Sequence, residues 1–508
     1  MTIETVGIQF PATPDGRRGS TATTKGIFAA ALEAASPEAA RAVRDEPRWR
    51  QDYPRHLRAL TELSLERPEH ALSTARAGLE AARRAFEFVR EGKAWPLTEA
   101  MTRPTQPGFR TVSIEGRDRA APPRWWVPYR GARLEGATLL AQLDAWEKRG
   151  MLEPSHVEAL RLVQQNPEWL DLSDRTFALL GAAAEAGPLR WLLHWRANVA
   201  AVDLKRPETW KRLVALALEG NGRLLAPLVG TNAPAVDGDP NAWAPLAGAD
   251  LLTETPEIAT WLTSLGVDLD VASLAYLDGE RHARVSMAMD AIAVELARAR
   301  PRTSLGYMAT PTDLFAVPGD VARAVQAAYA ERSAPARFAQ AGARLVSAGR
   351  LFSPNAGRLV RSSTGADYGT VDCLVLEQGP SYALAKRLQQ WRAVVARADG
   401  QTVSINVAPS SATRSVTKNP LLAAAFRGAG TFGVEVFNPE TTNALMAALW
   451  VHDLRNPRSV AHPDVALDNP LELLMRGANH GGMWRSPWLP RSVLPLAAVL
   501  GLARRPSW

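Results

Sequence analysis

The chain has 508 residues, 46% apolar and 22% charged, which excludes a wholly disordered or collagen-like polymer and allows more than one structural unit. The 59 Lys and Arg outweigh the 52 Asp and Glu by a formal +7, yet only seven of the bases are Lys, and acids lie scattered among them, so no nucleic-acid footprint is expected. A lone cysteine, Cys373, excludes an intramolecular disulfide and any multi-cysteine metal site, and it suits a reducing cytoplasm. The first residues lack the charged start and apolar core of a secretory signal, so no export is expected. The apolar stretch 494–502 is far short of the ~20 residues that span a bilayer, so no membrane span is expected either.

Residues 20–92 are Ala-rich with apolar positions three and four apart, which predicts helices ending near Gly92. Residues 95–133 turn to Pro, Gly, Arg and aromatics with short runs such as FRTVSI and RWWVPYRG, the texture of a loop-rich or small-sheet segment. Two more helical stretches follow, and a polar bridge at 166–174 sets a boundary near residue 170. Beyond it, short runs of Val, Leu and Ala alternate with amphipathic stretches, which predicts strand–helix–strand units and a parallel sheet. Residues 318–366 read as a mostly helical insertion, after which TVDCLVLEQ, a helix and TVSINVAPS resume the sheet pattern. The expected domains are a helical and loop-rich region 1–170, an α/β domain 171–440 interrupted at 318–366, and a helical and loop extension 441–508.

The segment 176–204 carries the clearest nucleotide signal. Gly181 ends an apolar strand, Gly187 opens a helix six residues later, and Asp203 closes the next strand. In a dinucleotide-binding turn the first glycine permits the bend, the last permits close packing of helix on sheet, and an acid at the second strand's end takes the ribose hydroxyls. Glu185 stands where a middle glycine would admit phosphate, and its carboxylate has to turn away from one. Lys205 and Arg206 follow Asp203 and offer contacts to a 2′-phosphate, so NAD is favoured over NADP only mildly.

Tyr382 and Lys386 open the helix after VDCLVLEQ. Their four-residue spacing sets phenol and ammonium on one face, where a cation favours the phenolate and suits the tyrosine to general acid–base work. With seven Tyr and seven Lys in the chain, a random Tyr-x-x-x-Lys is uncommon.

The order of these features, GPSYALAK, a helix and TVSINVAP, preceded by the Gly181–Gly187 turn and Asp203, resembles the short-chain dehydrogenase/reductase family over roughly residues 175–440. The resemblance implies a doubly wound parallel sheet of Rossmann-like form, with a helical N-terminal extension and a helical insertion, binding NAD or NADP. It further implies hydride exchange with an alcohol or carbonyl: Tyr382 as proton donor, Lys386 on its phenol and on ribose, Pro409 and Thr413 toward the nicotinamide. Several family features are absent. Ser410 replaces the glycine after Pro409, Asn406 precedes Pro409 by three positions instead of four, and where the family serine belongs, about a dozen residues before Tyr382, stands Thr370 at the start of a strand, Thr310 or Thr312 being able to take its place if the insertion 318–366 separates the elements.

Trp125, Trp126, Trp484 and Trp488 could line an apolar substrate cavity, while His480 in its glycine-rich turn and Cys373 need no function. No HExxH or G-x-S-x-G occurs. The expected protein is a cytoplasmic NAD(P)-dependent oxidoreductase acting on an apolar carbonyl or alcohol, with a homo-oligomer compatible. The alternatives are a Rossmann-like binding or scaffold protein without turnover, and a non-redox isomerase or lyase.

Overall fold

A computed structural model describes residues 6–103, 108–229, 240–355, 357–375 and 377–503. Its centre is a seven-stranded sheet ordered Val403–Val407, Ser304–Ala309, Asp270–Ser273, Thr176–Leu180, Asn198–Val202, Arg223–Val229 and Phe109–Glu115. The first six pair in parallel, and Phe109–Glu115 closes one edge antiparallel to Arg223–Val229. Numbered along the chain, the parallel strands lie in the order 6-5-4-1-2-3.

Successive residues of a strand face opposite sides, and both sides of this sheet are apolar. Ala178, Leu180, Val202 and Ile405 join a core with Ile27, Phe28 and Trp391, whereas Phe177, Leu179, Val199 and Leu224 join one with Trp191, Trp210 and Trp450. The first core lies under helices Ser20–Glu33, Glu280–Ala299 and Pro380–Ala398, the second under Pro207–Glu219 and Pro439–Arg455. The continuous apolar runs in the strands follow from this burial on two faces.

The N-terminal helices form where the periodicity predicts them: Ser20–Glu33, Pro37–Asp45, Trp49–Glu66 and Pro68–Ala85. Ser36 caps the second by accepting the Ala39 N–H at 3.2 Å. Two segments differ from expectation. FRTVSI is the edge strand of the central sheet, not part of a separate small sheet, so the region before residue 170 and the α/β domain share one sheet. TVDCLVLEQ does not return to the central sheet. Its strand Asp367–Asp372 pairs antiparallel with Leu314–Pro318 and with Val360–Arg361 in a sheet of its own, from which helices Gly319–Ala330 and Ala334–Val346 emerge. An apolar run predicts a strand but not its partner. Among the described residues no helix is long and apolar enough to cross a membrane.

Candidate functional site

The candidate residues gather beyond the carboxyl ends of the parallel strands. Gly181 leaves Thr176–Leu180 with φ +97°, a conformation that favours glycine, and the chain crosses so closely there that a Cβ would stand 2.6 Å from Ala275 N. The turn that follows bonds mainly to itself and its neighbours. Ala182 N donates to Val202 O at 3.0 Å, Ala184 N to Gly181 O at 3.1 Å, and Gly187 N to Ala184 O at 2.9 Å. Asp203 completes it, its Oδ2 accepting the Ala183 N–H at 2.8 Å and its Oδ1 the Leu204 N–H at 2.9 Å. Burial pushes the Asp203 carboxyl above the ordinary range, against the pull of those two N–H groups and of Arg212 and Arg206.

Glu185 turns away from the bend. Its Oε2 accepts the backbone N–H of Arg414 at 2.8 Å, which ties the turn to the segment after the buried Pro409 and next to Thr413. Thr413 lies at the N-cap of the short helix Arg414–Thr417, its N–H donating to Ser411 O at 2.8 Å. Lys205 pairs with Glu254 at 2.5 Å, so this cation is already engaged.

The same crossing carries the fold from Gly181 to Tyr382. Tyr276, the neighbour of Ala275, has its ring centroid 6.1 Å from that of Tyr382, and His282 lies 4.8 Å from Tyr276 and 5.1 Å from Tyr382. Lys386 Nζ stands 5.1 Å from the Tyr382 ring centroid, so the cation lies over the ring, one turn along the helix Pro380–Ala398. Tyr382 is half-buried, Lys386 and His282 are buried, and Tyr276 is 48% exposed at the mouth of the cluster. His282 Nδ1 accepts from Leu277 N at 3.5 Å while its Nε2 is buried without a partner, and burial, then Lys386, holds the imidazole far below its ordinary pKa. Burial likewise pushes the Tyr276 phenol up.

Thr310 and Thr312 follow the strand Ser304–Ala309, their hydroxyls 3.0 Å apart. Thr312 Oγ1 accepts from Gln378 Nε2 at 2.7 Å, two residues ahead of the Tyr382 helix. Beside them Asp313 is buried against Arg387 and, at 2.9 Å, Gln390, both on that helix, which fixes the helix against the end of the strand.

The structure therefore brings Gly181, Asp203, Glu185 and the Pro409–Thr413 segment together, and joins Tyr382 and Lys386 to the same end of the sheet through Ala275 and Tyr276. The aromatic residues expected to line a cavity do other things. Trp125 is buried with Nε1 donating to Ala444 O at 3.1 Å, Trp126 stacks edge-on against Trp191, and Trp484 stacks on His480. Trp488 lies against Tyr329 and Phe352. His480 is fully buried, donating through Nε2 to Glu153 at 3.0 Å, and Cys373 is a buried thiol. Tyr276, His282 and Gln378 carry no motif spacing, so no sequence pattern marks them. Comparison with family models and with curated proteins gave no match to this chain.

Proposed function

We propose that the protein is an NAD(P)-dependent oxidoreductase of an apolar carbonyl or alcohol, built on a doubly wound Rossmann-like sheet. The observation that carries the reading is the meeting of two independent signals at one end of the sheet: Ala275 lies against Gly181, and the next residue, Tyr276, touches Tyr382. The strand order supports it, because 3-2-1-4-5-6 is the order of dinucleotide-binding sheets, whose ligands lie outside the carboxyl ends where the order reverses, here between Thr176–Leu180 and Asp270–Ser273.

The donor set fits a dinucleotide in the following way. Each Asp203 oxygen accepts one N–H and keeps a lone pair for a ribose hydroxyl. Arg212, which donates to Ala183 O at 3.0 Å, brings a guanidinium to the turn, and the amides of Glu185 and Ala186 carry no bond among the described contacts. A bound nicotinamide supplies or accepts the hydride. In this chain Tyr382 holds the proton at its hydroxyl oxygen, Lys386 supplies the cation beside it, and Thr310 orients the reacting oxygen. NAD is mildly preferred, Lys205 being paired with Glu254 and Asp203 repelling a 2′-phosphate. The proposed setting is the cytoplasm, where the buried Cys373 thiol stays reduced.

A second reading, a binding or scaffold protein on the same sheet, is favoured by the self-bonded turn and by the brevity of the helix after it, Leu189–His194. Thermal unfolding with NAD⁺, NADH, NADP⁺ and NADPH separates the two. Ligand at 100 times its dissociation constant adds about 2.7 kcal/mol when it binds only the folded state. Stabilisation by one pair of nucleotides supports the enzyme, and no shift with any of the four moves the assignment to the second reading.

A further inference from the structure

The helix Ala334–Val346 stands off the body of the protein. None of its residues is buried, and Phe338, Leu345 and Val346 are 85%, 83% and 91% exposed. Single exposed apolar residues are ordinary, but three on one short helix form a patch that calls for a partner. At 100° per residue, Ala334, Phe338, Ala341 and Leu345 fall on one stripe, with Arg337 and Arg344 along its border. That stripe overlooks an open groove of about 460 Å³ whose other wall is Tyr329, Arg332 and Phe352. Arg332 is held in place there, its guanidinium 3.5 Å from the Tyr329 ring centroid and its Nη1 donating to Gln340 at 2.8 Å.

The charge of this helix is of one sign. From Arg332 to Ala366 the sequence has six arginines and no Asp or Glu. Arg358 and Arg361 pair with Glu66 and Asp367, while Arg332, Arg337, Arg344 and Arg350 have no ion-paired carboxylate among the described residues.

We propose that this helix docks the protein on an anionic phospholipid bilayer. Phe338, Leu345 and Val346 enter the headgroup boundary, and the exposed Arg337 and Arg344 meet lipid phosphates. An amphipathic helix with bases beside its apolar stripe lies in the plane of such an interface, and guanidinium groups bind phosphate in a planar fork. At 13 residues the helix is about 20 Å long, too short to span and long enough to lie flat. A second copy of this chain would bring four unpaired arginines against the same four, whereas anionic headgroups complement them. The proposal does not rest on the oxidoreductase reading.

The test is co-sedimentation of the full chain with phosphatidylcholine vesicles, with and without about a third phosphatidylglycerol. The protein is expected on the anionic vesicles only and to be released by high salt. Arg337→Glu with Arg344→Glu should lower partition at least about tenfold, and Phe338→Ser with Leu345→Ser should lower it at unchanged charge. Both double variants should keep the parent's circular dichroism, since every altered side chain is exposed. Equal partition on neutral and anionic vesicles overturns the proposal, as does full binding by the charge-reversed variant. So does a wild-type dimer that ignores vesicles and is split by the serine variant, which would assign this face to a second copy.

Discussion

Gln378 donates through Nε2 to Thr312 Oγ1 at 2.7 Å, which occupies one lone pair of that hydroxyl. Thr310 Oγ1 lies 3.0 Å from Thr312 Oγ1, where either hydroxyl can donate to the other, and it takes no bond from Gln378. On the proposed oxidoreductase reading Thr310, immediately after Ser304–Ala309 and not held by Gln378, is the threonine that orients a substrate oxygen. Thr310→Val is expected to lower kcat by about 10²-fold, the usual effect of deleting one oriented donor, with little change in melting temperature. Thr312→Val removes the acceptor of Gln378 and should cost about 1 kcal/mol of stability as well. Nicotinamide oxidation against a panel of apolar ketones and aldehydes, with melting curves for each variant, measures both. A larger catalytic loss at Thr312 than at Thr310 would reverse the assignment.

On the same proposed reading, Tyr382 and Lys386 take different parts. Tyr382→Phe keeps the ring beside Tyr276 and His282 and removes only the hydroxyl, so turnover should fall ~10²–10⁴-fold while nucleotide affinity stays. Lys386→Ala takes a buried cation from over that ring and should impair both turnover and binding. Isothermal calorimetry beside steady-state rates shows the split, and a Tyr382→Phe protein with parental kcat would end the proton-transfer role.

Asp203→Ala leaves the N–H groups of Ala183 and Leu204 without their acceptor, a loss of about 1–3 kcal/mol for a group left unsatisfied. It also removes the charge that disfavours a 2′-phosphate. The variant should lose NAD⁺ affinity more than NADP⁺ affinity, and calorimetry showing equal loss for both would detach Asp203 from the ribose.

The alternation of apolar strands and helices made the parallel sheet legible, because strands buried on both faces must read as unbroken runs of Val, Leu and Ala. Pairing partners were not legible. Phe109–Glu115 reads as a short run in a loop-rich or small-sheet segment, yet it joins Arg223–Val229 more than a hundred residues on, and TVDCLVLEQ has the texture of a core strand while belonging to a separate antiparallel sheet. Of the candidate site, Gly181, Asp203, Tyr382 and Lys386 stood out by spacing. Tyr276 and His282 did not, because their place beside Tyr382 comes from Ala275 crossing at Gly181, a contact between strand ends that local sequence does not encode. Glu185 could be said only to need another direction, and that direction, the Arg414 N–H, lies 229 residues away.

Three buried histidines give the fold an acid-sensitive stability. His156 donates from Nδ1 to Gly477 O at 2.8 Å and keeps a bare, buried Nε2. His480 accepts the Gly482 N–H on Nδ1 at 3.1 Å, so both are neutral rings. Burial lowers His156 to about 4 and lowers His480 and His282 as well. Glu153 acts in the same direction: burial opposes its ionisation, but His480 and Arg485 prevail and hold its carboxyl below the ordinary range. Each group binds protons more readily unfolded than folded, so stability is complete above about pH 6.5 and falls as pH drops toward 4. His156 alone accounts for roughly 3 kcal/mol of that fall. Urea unfolding at a series of pH values should show the slope, and His156→Asn, which retains a donor for Gly477 O, should flatten it. An unchanged slope in that variant would place the proton uptake elsewhere.

Gly181 carries two costs for any larger residue, and a second glycine separates them. Its φ of +97° costs an L-residue about 1–2 kcal/mol. The space is also taken: a Cβ would lie 2.6 Å from Ala275 N and 2.7 Å from Ala275 Cα, backbone atoms that cannot rotate away. Overpacking of that kind adds typically 1–3 kcal/mol, so Gly181→Ala should lose about 2–5 kcal/mol in all. Gly400 has nearly the same φ, +95°, with nothing within 4 Å of its would-be Cβ, and Gly400→Ala should show the conformational cost alone. Denaturant melts of the two variants against the parent give the difference, which measures how firmly the segment leading to Tyr276 and Tyr382 is pressed on the turn. Equal losses would mean that Ala275 gives way at little cost. The Tyr276 ring would then shift with it, and the joining of the glycine turn to the Tyr382 cluster would be loose instead of fixed by the fold.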